Sequence, residues 1–261
     1  MSLAQLLDSA EPRADGFALT IPESWHQGRT AFGGLTAALA LVAARQAGGE
    51  GLPPLRSAQV SLVGPMYGAV ELRARVLRAG RNVTWIAAEL LRNGEVGLTA
   101  TFAFMRPIES GLHLGLEREF PDVIPVEQAI PREEPRGSVR LFEHIEARFA
   151  LPRQDEPSPE ICWWVRAKDR EGVDPALHLL LCADAPPPGV FPIVPRPIPP
   201  ISSMTWLANF LSPDPRSRDG WLLLRTVGDF ADAGYSSDRT EIWNSDGVPL
   251  LLGMQSVAIF G

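Results

Sequence analysis

The stretch from Trp25 to Arg45 constrains the fold most, because after the glycine pair Gly33-Gly34 it is apolar on every face. Its alanines and leucines favour a helix, and a helix without a polar stripe must be surrounded by protein or by lipid. At roughly 14 residues it is shorter than the about 20 residues that a membrane span needs. The stretch therefore predicts a helix wrapped by other structure, with accessible backbone N–H groups at its glycine-rich start.

Segments with the composition and alternation of β-strands follow this helix. Turn residues separate them, and Asn93-Gly94, a pair typical of a tight hairpin, joins the last two. The predicted strands are residues 57–63, 70–79, 82–92 and 96–105. One buried helix followed by an antiparallel sheet predicts a sheet that curls around the helix.

The same pattern returns after a polar, proline-punctuated segment, residues 106–140. Asp174-Pro175 predicts the N-cap and first position of a second apolar helix, which ends at Asp184. The strands predicted around it are residues 141–149, 161–167, 202–211, 221–227, 235–243 and 250–260. We infer an internal duplication, with an N-terminal repeat at 1–105, a linker at 106–140 and a C-terminal repeat at 141–261.

Composition excludes several classes of function. A net charge of −7 argues against a nucleic-acid partner, which would require clustered Lys and Arg. Cys162 and Cys182 form no disulfide framework, and the N-terminal residues do not resemble a signal peptide, so we expect a cytoplasmic protein without a membrane span. The sequence contains no phosphate loop, dinucleotide glycine pattern, Gly-x-Ser-x-Gly elbow or metal-ligand spacing. We therefore expect neither a cofactor nor a metal.

A series of landmarks spans nearly the whole chain from about Gly28. They are Trp25, Gly28-Arg29, Phe32-Gly33-Gly34, Pro65, Gly80-Arg81-Asn82, Phe142-Glu143, Asp174-Pro175, Asp184, Trp206, Asp246-Gly247 and Gln255. In this order they resemble the acyl-CoA thioesterase II family and its thioesterase-like relatives. The resemblance implies an α+β double hotdog fold, in which two antiparallel sheets each wrap a central helix and join into one continuous sheet.

The resemblance also implies the activity and the partners. Members of the family hydrolyse the thioester bond of an acyl-CoA, so the expected substrate is a fatty acyl-CoA attacked by an activated water. The sheet edges and faces that this fold leaves open predict a homodimer or a higher homo-oligomer. The alternative is a double hotdog protein that binds acyl-CoA or another acyl ligand without hydrolysing it.

Candidate catalytic residues are carried over from the family's trio, which comprises an aspartate, a threonine or serine, and a glutamine that together hold the attacking water. Gln255 matches the glutamine by its spacing from Asp246. The aspartate position falls on Ser202, and the threonine position falls on or beside Asp229. This exchange of carboxylate and hydroxyl leads to the hypothesis that Asp229 is the general base, with Asp232 as a competing base, and that Gln255 and Ser202 orient the water.

Each role has a structural alternative. Asp229 lies beside glycine and is also typical of a turn, and Ser202 is also typical of a plain hydroxyl at a strand end. Gln255, in an otherwise apolar strand, needs hydrogen-bond partners whether or not it is catalytic. The developing oxyanion is expected to meet the backbone amides of Gly33 and Gly34, where the helix dipole favours negative charge.

Overall fold

Two buried helices and one long antiparallel sheet organise the chain. The structure is a computed structural model that describes residues 1–115, 118–133, 139–153 and 155–260. The α-helices are α1 Leu3–Asp8, α2 Gly33–Gly48 and α3 Pro175–Ala183. Short 3-10 helices cover Glu23–Trp25, Arg140–Glu143 and Phe191–Ile193.

The strands of the N-terminal half are β1 Glu11–Arg13, β2 Gly16–Ile21, β3 His26–Gln27, β4 Thr30–Ala31, β5 Leu55–Leu62, β6 Gly68–Ala79, β7 Val83–Arg92 and β8 Glu95–Met105. Those that follow are β9 Ile130–Pro131, β10 Ile145–Phe149, β11 Glu160–Ala167, β12 Ile201–Phe210, β13 Leu222–Asp232, β14 Tyr235–Asn244 and β15 Pro249–Ile259.

One sheet of 13 strands contains all of these except the small β3–β4 pair, in the order β1-β2-β6-β7-β8-β5-β12-β15-β14-β13-β11-β10-β9. From the centre outward, the order β5-β8-β7-β6-β2 on one side matches β12-β15-β14-β13-β11 on the other. The two halves meet where β5 and β12 pair antiparallel, with Val60 opposite Trp206. This arrangement is the double hotdog, and it confirms the α+β fold class with two sheets joined into one.

The helix α2 is surrounded by protein, as its sequence predicted. Leu35, Leu39 and Leu41 are fully buried, and a single apolar cluster runs from this helix through α3 and both halves of the sheet. The hairpin predicted at Asn93-Gly94 is also present. Both residues have the positive φ that such a tight turn requires, 53° and 81°. Among the described residues no helix is both long enough and apolar enough to cross a membrane.

Two predicted strands differ from the observed ones. The segment predicted as a strand from residue 141 begins instead with the 3-10 helix Arg140–Glu143, which buries Leu141 and Phe142, and β10 starts only at Ile145. The strand predicted to end at residue 227 continues to Asp232 through a β-bulge between Gly228 and Phe230. The extension places Asp229 within a strand and not in a turn.

The domain boundaries remain a prediction. The proposed linker, 106–140, contains the two-residue strand β9 and the start of a 3-10 helix. Residues 116–117 and 134–138 of this linker, and residues 154 and 261 of the proposed C-terminal repeat, lie outside the described residues.

Candidate active site

The carboxylate of Asp184 lies where the two central helices meet. Asp184 follows the last residue of α3 as its C-cap, and the backbone N–H of Gly34, in the first turn of α2, is close enough to this carboxylate to lower its pKa. The N-terminus of α2 presents unpaired N–H groups and positive dipole charge, which stabilise an anion there. The two repeats therefore build one acidic site between them.

The glycine pair makes this approach possible. A Cβ atom on Gly33 would lie 2.5 Å from Oδ2 of Asp184, and a Cβ atom on Gly34 would overlap the backbone carbonyl oxygen of Leu181 in α3. Both distances are far below van der Waals contact. The absence of side chains at these two positions thus allows the start of α2 to touch the end of α3.

Gln255 connects Asp184 to the last strand of the sheet. The residue is 9% exposed, and its Nε2 donates to Oδ1 of Asp184 at 3.2 Å and to Oγ of Ser203 at 2.7 Å. The strand β15 supplies Gln255 and its neighbour β12 supplies Ser203. The amide therefore has both of its donor hydrogens engaged, which fixes its orientation towards the carboxylate.

Burial raises the pKa of Asp184 to about 7, although the hydrogen bond from Gln255 and the backbone N–H of Gly34 oppose this rise. Removal from water penalises the charged form more than these two donors stabilise it. A carboxylate with such a pKa can accept a proton near neutral pH and return it later in a reaction, which is what a general base requires.

A cavity of about 410 Å³ opens onto this cluster. Gly33, Asp184, Ser202, Ser203 and Gln255 line one side of it. The remaining wall comes from the β3–β4 hairpin, the residues after β5 and the proline-rich segment after α3. Among the described residues that line the cavity, Asp184 is the only one with a readily titrated side chain.

Asp229 and Asp232, the two predicted bases, do not line this cavity. Asp229 is exposed at the bulge of β13, where its Oδ1 accepts a hydrogen bond of 3.0 Å from Nε of Arg239. Asp232 is exposed at the end of the same strand, opposite Tyr235. The fold does not bring either carboxylate to Gln255.

Ser203, and not the predicted Ser202, is the serine that contacts Gln255. Ser202 borders the cavity, but its Oγ donates to the backbone oxygen of Ser203 at 3.4 Å, and Ser203 is the residue that contacts Gln255. A β-bulge between Ser203 and Thr205 shifts the register of β12 against β15. Since side chains alternate along a strand, this shift decides which serine faces the glutamine.

The two predicted oxyanion donors, Gly33 and Gly34, also differ in their position relative to the cavity. The N–H of Gly34 acts on Asp184, whose pKa it lowers, and Gly34 does not border the cavity. Gly33 borders the cavity and, as the first residue of α2, has a backbone N–H with no acceptor inside the helix. Of the two glycines predicted to meet the oxyanion, Gly33 is therefore the one that borders the cavity.

Asp184, the titratable residue of this cluster, is absent from the site residues predicted from the sequence, although a signal for it exists. An acidic residue at the C-terminal end of a helix opposes the helix dipole, and this one is flanked by Ala183 and Ala185 after an apolar helix. A carboxylate in such surroundings is difficult to explain by packing alone. Its partner Ser203 gives no comparable signal, because the bulge that orients it is not visible in the residue pattern.

The fold and the acid–amide cluster define a double hotdog protein with a buried site between its two repeats. The acyl-CoA thioesterase N-terminal domain matches residues 21–105, and the acyl-CoA thioesterase C-terminal domain matches residues 121–259. The chain belongs to this acyl-CoA thioesterase family. No curated protein matches it significantly.

Solved structures resemble the chain over its whole length. A conserved protein of unknown function with a hotdog fold from Alicyclobacillus acidocaldarius is 23% identical with a TM-score of 0.86, covering 100% of this chain and 99% of that one. An acyl-CoA thioesterase II from Mycobacterium marinum is 19% identical with a TM-score of 0.74, covering 99% and 98%. The tesB protein of Mycobacterium avium subs paratuberculosis is 15% identical with a TM-score of 0.75, covering 100% of both chains. At these identities the likeness supports the fold.

Proposed function

We propose that the protein hydrolyses the thioester bond of a fatty acyl-CoA with Asp184 as the general base. The observation that carries the proposal is the hydrogen bond from Gln255 to Asp184, formed at the start of α2 beside an open cavity. Membership of the thioesterase family supports the reaction class.

In the proposed reaction a water molecule lies against Asp184 and Gln255 with the thioester carbonyl carbon next to it. Asp184 removes a proton as the water oxygen bonds to the carbonyl carbon, and the carbonyl oxygen becomes an oxyanion. The intermediate then collapses, the carbon–sulfur bond breaks, and the proton held by Asp184 passes to the departing CoA sulfur. The products are a carboxylic acid and CoA.

The proposed oxyanion donor is the backbone N–H of Gly33 at the start of α2. It borders the cavity and lies at the positive end of the helix dipole, where developing negative charge is stabilised. This assignment replaces Asp229 by Asp184 and retains Gln255 and Gly33 from the sequence-based set. Ser203, whose Oγ accepts from Gln255, holds the amide in place.

The test is the release of free CoA from a panel of acyl-CoAs, followed with a thiol reagent. Release with saturable kinetics supports hydrolysis. Saturable binding measured by calorimetry, with no release from any member of the panel, would instead support the binding protein that is the alternative.

We further propose that the protein acts in the cytoplasm as a homodimer or a higher homo-oligomer. Both cysteines are free and buried, which suits a reducing compartment. Large apolar side chains such as Trp85, Leu77 and Met254 are exposed on the sheet, where a second copy could cover them. Light scattering coupled to size exclusion tests the oligomer, and a mass equal to one chain would exclude it.

A further inference from the structure

A second cavity of about 550 Å³ lies beside the first. Gln27, Pro187 and Phe191 border both cavities, so the second cavity adjoins the one that holds Asp184. The volume is within the range of about 300 to 1,000 Å³ typical of small-molecule sites. A substrate group attached to the thioester carbonyl therefore has an adjoining space to enter.

The walls of the second cavity are largely apolar and aromatic. Phe142, Phe149 and Trp163 form a cluster in which the Phe142 and Phe149 rings each lie against Trp163, with centroid distances of 6.2 and 5.6 Å. Leu151 and Ile161 add to this surface. Such a lining favours a hydrocarbon chain over a polar ligand.

One cation interrupts this lining. The Cζ atom of Arg132 lies 3.7 Å from the centroid of the Phe142 ring and 5.6 Å from that of Trp163, both of which line the cavity. Among the described residues no carboxylate pairs with Arg132, and its Nη1 makes only a long contact of 3.4 Å to the backbone oxygen of Glu133. Burial lowers the pKa of the guanidinium, because its charge is partly removed from water.

The other polar side chains of this cavity do not compensate Arg132. Oε1 of Glu160 accepts a hydrogen bond of 2.7 Å from Nε of Arg225, so its charge is already paired. Burial raises the pKa of Cys162 to about 12, which keeps the thiol neutral. Gln27 carries no charge. As far as the described residues define it, the cavity therefore combines an apolar body with one unpaired positive charge.

We propose that the second cavity binds the distal part of the acyl group and that Arg132 pairs with a carboxylate at its far end. The substrates of this class are CoA thioesters of dicarboxylic acids. A planar guanidinium stacked on an aromatic face keeps its N–H edge available for bidentate pairing with a carboxylate. The assignment rests on the proposed thioesterase function, whose substrate class it specifies.

Two substrates of equal chain length test the assignment: octanoyl-CoA, which ends in a methyl group, and suberyl-CoA, which ends in a carboxylate. We expect the wild-type protein to have a kcat/KM at least about tenfold higher for suberyl-CoA, the scale of a hydrogen bond to a charged group. Arg132→Gln is expected to abolish this preference, chiefly by lowering the kcat/KM for suberyl-CoA. Arg132→Lys, which keeps the charge and loses the fork, should give an intermediate ratio.

The control variant is Arg216→Gln, since the Arg216 side chain is exposed on the loop after β12 and forms an ion pair with exposed Asp214. It should leave the kcat/KM for both substrates unchanged.

Calorimetric binding of both thioesters to the same proteins separates this proposal from hydrolysis itself. Arg132-dependent binding of suberyl-CoA without CoA release would retain the cavity assignment and refute the thioesterase. Hydrolysis with equal or lower activity on suberyl-CoA, or a preference that Arg132→Gln leaves intact, would overturn the cavity assignment and retain the thioesterase.

Discussion

Nε2 of Gln255, on the last strand of the sheet, lies 3.2 Å from Oδ1 of Asp184, at the end of the second central helix. The sequence separates these residues widely, and the fold joins them at a point where the first repeat contributes the start of α2. The proposed site is therefore a product of the duplication, because neither repeat holds all of its parts.

Replacing Gln255 with Met should lower kcat by about 10²-fold, since the attacking water and the base both lose the group that orients them. The hydrogen bond from Gln255 lowers the pKa of Asp184, so its removal should shift the acidic limb of the pH–rate profile to higher pH. The profile is measured by CoA release between about pH 5 and 9. A lower rate with an unmoved limb would contradict the proposed contact between amide and base.

The two serines of β12 provide a matched pair. Ser203→Ala removes the acceptor of a 2.7 Å hydrogen bond from Gln255 and should reduce kcat by about tenfold. Ser202→Ala removes only a 3.4 Å contact to a backbone oxygen and should have little effect. Steady-state kinetics of both variants show which of the two serines the site requires. If Ser202→Ala were the more damaging change, Ser202 and not Ser203 would be the hydroxyl that serves the site.

The glycine pair provides a second matched comparison. In Gly33→Ala the new methyl group meets the movable end of Asp184, so we expect a loss of activity of about 10²-fold with a change in unfolding free energy within about 1 kcal/mol. In Gly34→Ala it meets the backbone of Leu181, and we expect a destabilisation of about 2 kcal/mol or more. Denaturant titration and CoA release are both measured. Equal stability losses in the two variants would contradict the close contact between the two helix ends.

Stability should depend on pH through Asp184. Its pKa is about 7 in the folded chain against an ordinary value of 3.8, so its contribution is fully present below pH 3.8 and is lost as the pH rises through 7. Asp184→Asn should remove this dependence, and its unfolding free energy relative to wild type should rise by about 2 to 4 kcal/mol between about pH 4 and 8. The comparison with wild type isolates Asp184 from His144 and His178, whose pKa values of about 4 act in the opposite direction. A constant difference between the two proteins would refute the raised pKa.

The general architecture could be predicted because it depends on patterns carried by contiguous residues. The apolar helix from Gly33, the Asn93-Gly94 hairpin and the second cap at Asp174 each specify local structure that the fold retains. The repetition of this pattern then indicates the duplication. Local consistency of this kind is what makes an architecture readable from sequence.

The site could be predicted only in part. Gln255 can be predicted because an amide in an apolar strand requires buried partners. Gly33 and Gly34 can be predicted because they begin a buried helix. A count of positions along the strands predicts Asp229 as the base. The bulges in β12 and β13 add a residue to one strand and make such counts unreliable. The proximity of Asp184 to Gln255 depends on the packing of α3 against α2 and β15, which no local pattern encodes.

The central claim is that Asp184 is the base, and its most direct test is CoA release by Asp184→Asn with Asp229→Asn as the matched control. Each variant replaces one carboxylate with an amide of nearly the same shape, and circular dichroism establishes that both are folded. We expect kcat to fall by at least about 10²-fold in Asp184→Asn and to stay within about twofold of wild type in Asp229→Asn. The opposite pattern, with Asp184→Asn fully active and Asp229→Asn inactive, would contradict the account.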